Sequence, residues 1–115
     1  MNSHASDIPS PQQLNAALCA YIHTIPNAER LRKFIWSIGL GSHEAGIQKE
    51  MRSLVQATDD FLWAQTDGIV WNNAFEEQQF QHLREGFPWL GNEGFSAVLS
   101  YSGWLCLHEG LNAVP

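Results

Sequence analysis

The chain has 115 residues, 44% of them hydrophobic and only 16% charged, which is enough apolar material for one packed core and too little charge for an intrinsically disordered chain. Six Lys and Arg stand against twelve Asp and Glu, a net charge of -6. This balance speaks against general binding to nucleic acid or adsorption to anionic membranes, since both require a basic face. No apolar run reaches the length of a membrane span. The start, Met1-Asn2-Ser3-His4-Ala5-Ser6-Asp7, lacks the basic and apolar regions of a signal peptide, so a cytoplasmic protein is expected. Cys19 and Cys106 lie far apart in sequence and read as two free buried thiols of a reducing compartment.

Residues 1–9 are polar, small and end in proline; they read as a flexible tail ahead of a single helical domain over 10–115. Ser10-Pro11-Gln12-Gln13 is a capping box with Pro at the first helical position. Leu14, Ala17, Leu18, Tyr21, Ile22 and Ile25 follow at helical spacing until Pro26 ends the run. Asn27 caps a second helix whose stripe is Leu31, Phe34, Ile35 and Ile38, and Gly39 and Gly41 stop it. Ser42 is placed to cap a third helix, with Glu44 in its first turn on the favourable end of the helix dipole. Ile47, Met51, Leu54, Val55, Thr58, Phe61 and Leu62 form its inner face. Thr66-Asp67-Gly68 breaks the pattern, and Ile69-Val70-Trp71 is either a short extended piece or the opening of a fourth helix. From Asn73 to Glu85 the composition is helical, with Phe80 and Leu83 inward and Phe75 partly so. Gly86 to Gly91 is an aromatic turn, Asn92 caps a last helix running to about His108, and Gly110 stops it. No segment alternates with period two, so strands are not expected. The reading is an all-α, compact bundle of four to five helices.

The last helix departs from the ordinary amphipathic pattern. Phe95, Val98, Leu99, Ser102, Leu105 and Cys106 form one stripe, and Ala97, Tyr101, Trp104, His108 and Leu111 form a second; its only charges are Glu93 and Glu109 near the ends. A helix apolar nearly all round is covered on most sides. Either it is the central helix of the monomer, or its Tyr101-Trp104 side meets another chain. On the second reading Tyr101, Trp104 and His108, with Trp89 in the preceding turn, are the candidate protein-binding residues and the chain is a homodimer, because large aromatics with a polar handle favour interfaces.

No spacing in the chain points to chemistry. His4, His23, His43, His82 and His108 lie in no H-E-x-x-H or C-x-x-C arrangement, so no metal is expected. Asp59-Asp60 and Glu76-Glu77 are neighbours on helices and diverge by about a hundred degrees. Neither a Gly-rich phosphate loop nor a G-x-S-x-G motif occurs, and no cofactor or enzymatic activity is expected. Helices two and three with Gly39-Leu40-Gly41-Ser42 between them loosely mimic a helix-turn-helix. The helix that would read DNA carries nearly cancelling charges (Glu44, Lys49, Glu50, Arg52), so a solvated helical hairpin is the stronger reading and no direct nucleic-acid contact is expected.

A short, acidic, aromatic-rich helical domain of this kind suits an inhibitor that binds another protein. The size, the start Met1-Asn2-Ser3-His4, the five helices and the aromatic segment from Gly94-Phe95 to Trp104-Leu105 resemble the small Pseudomonas-type quorum-sensing antiactivators. That resemblance spans the whole chain and implies a homodimer that sequesters a LuxR-type transcriptional regulator, blocking its dimerisation and hence its DNA binding. It assigns no individual binding residue. Two other readings stand beside it: an immunity or anti-defence protein neutralising a basic toxin or nuclease, and a small-ligand-binding domain with an aromatic pocket between helices.

Overall fold

A computed structural model describes residues 8–65 and 67–111. Residues 1–7 of the expected tail lie outside the described residues; Ile8 is exposed and Pro9 half-buried. Among the described residues the chain forms five α-helices: α1 (Pro11–Tyr21), α2 (Ala28–Ser37), α3 (Glu44–Trp63), α4 (Asn73–Gly86) and α5 (Asn92–Glu109). They form the all-α bundle read from the sequence, and no helix among these residues is long and apolar enough to cross a membrane.

The start of α1 is the expected capping box: Ser10 Oγ accepts from the Gln13 amide at 3.1 Å, and Gln13 Oε1 accepts from the Ser10 amide at 2.9 Å. Its end is not where the apolar spacing put it. The helix stops at Tyr21, and Ile22–His23 (β1) pairs antiparallel with Ile25–Pro26 (β2), a minimal hairpin about Thr24, whose φ is 86°. Ile22, His23, Thr24 and Ile25 hold three β-branched residues, which favour extended backbone over helix. The carbonyls left open by the early stop are then satisfied from α2. Arg30 donates to the Ala20, Tyr21 and Ile25 carbonyls at 2.7, 3.1 and 3.4 Å, and the Asn27 amide donates to Tyr21 at 2.8 Å. Ile22 remains buried but Ile25 is exposed.

Asn27 caps α2 through Arg30 N at 2.9 Å, as its position predicts. Ser42 does not cap α3. Gly41–His43 forms a 3-10 turn in which the His43 amide bonds the Leu40 carbonyl at 2.8 Å; Ser42 is held inside it, exposed, and α3 begins only at Glu44. Ile69 is extended: its amide bonds the Leu111 carbonyl at 2.9 Å, tying the α3–α4 connection to the end of α5. Asn72 caps α4 through Phe75 N at 2.8 Å.

Asn92 does not cap α5 either. It is the first residue of the helix, and the cap position is Gly91, which has no side chain to offer. The cap comes from α1. Asn15 Oδ1 accepts from the Gly91 amide at 2.8 Å and the Gly94 amide at 3.1 Å, while its Nδ2 donates to the Pro11 and Trp89 carbonyls, both at 2.8 Å. A methyl group on Gly94 would be driven into Asn15 Oδ1. At the other end Gly110 takes the left-handed conformation, φ 68°, and closes the helix.

The core is built from one or more faces of every helix. Leu18, Leu31, Ile35, Met51, Leu54, Leu62, Leu83, Val98 and Cys106 are all at or below 1% exposure, which makes truncation at any of them a cavity. α5 packs against α1, β1 and α3, whereas α4 lies mainly on α3. Gln79 is buried; its Nε2 donates to Ser102 Oγ on α5 at 2.9 Å.

Two stability measurements follow from this packing. Leu54→Ala is expected to lower unfolding free energy by about 2–5 kcal/mol in urea denaturation. Asn15→Ala is expected to cost about 2–4 kcal/mol, because it leaves two α5 amides and the Trp89 carbonyl without partners in a place water reaches poorly. An Asn15→Ala midpoint equal to wild type would show that α5 does not depend on this cap.

Candidate protein-binding surface

Tyr101, Trp104 and His108 follow one another at three- and four-residue spacing on α5, and the structure brings them into one ladder. The Tyr101 and Trp104 ring centroids are 6.2 Å apart with planes at 23°; those of Trp104 and His108 are 4.3 Å apart at 30°. His108 Nδ1 lies 3.0 Å from the Trp104 carbonyl oxygen, which fixes the ring over the indole. The ladder is graded. Tyr101 is buried at 7% exposure, Trp104 is half-buried and His108 is exposed.

The inner rung is anchored. Tyr101 Oη donates to Asp59 Oδ1 on α3 at 2.7 Å. Burial, then the hydrogen bond and the negative charge of Asp59, hold the Tyr101 phenol well above the ordinary tyrosine range. Tyr101 packs within the chain, and Trp104 and His108 extend from it toward solvent.

Trp89 sits apart from them. It precedes the first turn of α5, while Trp104 lies about 20 Å further along the helix axis, at 1.5 Å per residue. Its indole N–H donates to Glu50 Oε2 on α3 at 2.8 Å, its carbonyl is taken by Asn15, and its ring meets Phe87 edge-on at 6.3 Å. Trp89 thus closes the turn between α4 and α5 against α1 and α3.

Composition alone did not single out which tryptophans are left open. Trp36 is 58% exposed and Trp63 54%, while among the aliphatic residues Leu107, Val70 and Ile8 are also open. Trp36 lies flat over Gly41, and its indole N–H donates to Glu44 Oε1 at 2.8 Å, so a large exposed ring is held in one orientation. The heptad-like stripes of α2 and α3 pointed away from Trp36 and Trp63, which is the signal their sequence positions carried.

Neither cysteine is disulfide-bonded; Cys106 is buried and Cys19 half-buried, and burial raises both thiols above their ordinary value. Among the described residues no group of three or more His, Cys, Asp and Glu is arranged to hold a metal ion. No known protein family, curated protein or solved structure matches this chain.

The raised phenol and thiols fix the sign of the alkaline pH dependence. The folded chain holds these protons more tightly than the unfolded chain, so the associated stability is complete below the unfolded values and is lost as pH rises past them. Melting temperature is expected to fall as pH climbs from about 8.5 through about 10, the ordinary thiol and phenol values. Burial raises the Tyr21 phenol as well, so in Tyr101→Phe the fall should become shallower by the Tyr101 share while the part due to Tyr21 and the thiols remains; an identical slope in the variant would remove Tyr101 as a cause.

Proposed function

We propose that this chain acts by binding and inhibiting another protein, and that its partner is a transcriptional regulator of the LuxR type, kept from dimerising and so from binding DNA. The observation that carries the binding reading is the graded ladder on α5. An indole and an imidazole are preorganised on a buried, hydrogen-bonded tyrosine and presented at the surface with little rotamer freedom left to lose. Rigid aromatic area with a polar edge is what interface centres favour. The antiactivator reading adds to this the resemblance in size, helix number and aromatic C-terminal segment. A homodimer is part of the same proposal, with Trp104 and His108 serving either the second copy or the regulator.

A purified LuxR-type regulator on a labelled operator duplex tests it. Adding this protein is expected to lower the regulator's occupancy of DNA while itself leaving the duplex unbound. Trp104→Ala is expected to weaken that inhibition by about 2 kcal/mol, roughly thirtyfold, with its thermal midpoint largely kept because Trp104 is only half-buried. Undiminished regulator occupancy at saturating protein would refute the antiactivator. Outright unfolding of Trp104→Ala would place that ring in the monomer core instead.

A further inference from the structure

The charges of this chain are sorted along it. Residues 27–52, which cover α2 and the first half of α3, hold five of the six cations against three acids. Residues 59–109 hold eight acids against one cation, Arg84. Among the described residues the only ion pair is Arg32–Glu29, in the first of these regions. Among the described residues, the acids of α4 and α5 form no ion pair with a cation of their own chain.

Within that acidic half, α4 and α5 do not close against each other. They touch through Gln79–Ser102 and through Phe80 stacked on Phe95, with ring centroids 4.5 Å apart at 16°. Beside these contacts two cavities of ≈ 420 and ≈ 250 Å³ open along α5 and share Glu76 and Leu99 in their walls. Together they run from Asn92 to Gly103, about 16 Å of helix axis, or three helical turns. Trp71, Phe80, Phe95 and Leu99 supply the apolar part of the lining, and Asn73 and Asn92 add polar surface to the larger cavity. The rim on the α4 side is Glu76 and Glu77. Glu76 stands in the first turn of α4.

We propose that this α4–α5 groove receives a cationic amphipathic helix of a partner protein, whose apolar face lies on Phe95, Leu99 and Trp71 and whose Lys or Arg side chains meet Glu76 and Glu77. The length of the groove matches three turns of helix. Neither wall offers an open strand edge, so an extended peptide has no backbone ladder to join, and recognition by side chains alone is the helix-in-groove mode. A second copy related by two-fold symmetry through this same groove is the wrong occupant, because it would set one acidic rim against the other. The proposal rests on the reading that the chain works by binding a protein, and it names the surface and the chemistry of the partner.

The test uses the full chain and two synthetic fourteen-residue helices with the same leucine face, one bearing Lys and Arg on the opposite side and the other Glu. On titration of isotope-labelled protein, the basic peptide is expected to shift the amides of Trp71, Glu76, Leu99 and Gly103, and the acidic peptide to leave them in place. Raising salt from about 50 to about 300 mM should weaken the basic peptide about tenfold, since exposed charges are screened over a shorter length. Glu76→Gln with Glu77→Gln should weaken it about tenfold at low salt. Gly103→Arg should block it outright; a Cβ at Gly103 meets nothing within 4 Å and the position is exposed, so the fold is expected to persist, which circular dichroism of the variant checks. Equal binding of both peptides, shifts confined to another surface, or wild-type affinity in both variants would overturn the groove. The operator assay separates the two proposals. A Glu76→Gln, Glu77→Gln variant that inhibits the regulator like wild type sinks the groove alone. A wild type that binds the basic peptide but spares the regulator sinks the antiactivator alone.

Discussion

One side-chain amide joins the two ends of this fold. The first turn of α5 presents free amides that a helix ordinarily satisfies with a side chain at its own cap position. Here that position and the third helical residue are both glycine, so the helix supplies nothing. Asn15, seventy-six residues earlier than Gly91, inserts a single carbonyl oxygen that accepts from both amides, the two bonds a capping box would make with two side chains. Its nitrogen is equally committed, to the Pro11 carbonyl at the start of its own helix and to the Trp89 carbonyl. All four bonds are made at 7% exposure, where an unmade one would go uncompensated by water.

The rest of the architecture follows from where α5 is pinned. With its start held on α1, the helix passes α1, the hairpin and α3, burying Phe95, Val98, Leu105 and Cys106 on one side and Ala97 and Tyr101 on another. α4 is left to pack mainly on α3, through Phe75 and His82 around the Phe61 ring. It reaches α5 through long side chains, with Gln79 spanning to Ser102. The open groove between α4 and α5 and the aromatic ladder on α5 are thus consequences of the same placement. The molecule offers two different surfaces on one helix: a neutral aromatic one that grades out of the core at Tyr101, and an apolar floor with an acidic rim beside α4.

Much of this was legible in the residues. The box at Ser10 to Gln13, the cap Asn27, the inner face of α3 and the glycine stop at Gly110 are local devices, settled within one or two turns of chain. Periodicity found them because they need no partner from elsewhere. The same reading carried α1 too far, through Ile22 to Ile25, because helical spacing and a β-branched hairpin both place apolar residues a few positions apart. It assigned caps to Ser42 and Asn92 by residue type, whereas the 3-10 turn at Gly41–His43 and the incoming Asn15 took those roles. A signal for Asn15 did exist: it is in phase with Leu18 and Ile22 on a buried face, where a polar residue must find an internal partner. Gln79, in phase with Phe75 and Leu83, carried the same signal.

What the sequence by itself determined is the helical class, the approximate limits of the five helices and the unusual apolarity of the last, since these rest on short-range backbone and side-chain preferences. Which face of that helix is covered was decided only by tertiary structure. Phe95, Tyr101 and Trp104 are all aromatic residues of one helix in sequence. Asp59 reaches Tyr101, and Phe80 stacks on Phe95, because of where α3 and α4 come to lie. Trp104 keeps part of its ring in solvent because no helix passes over it to the same depth. Burial of a given side chain is a property of its long-range neighbours, and a single chain read in order holds no record of which neighbours those are.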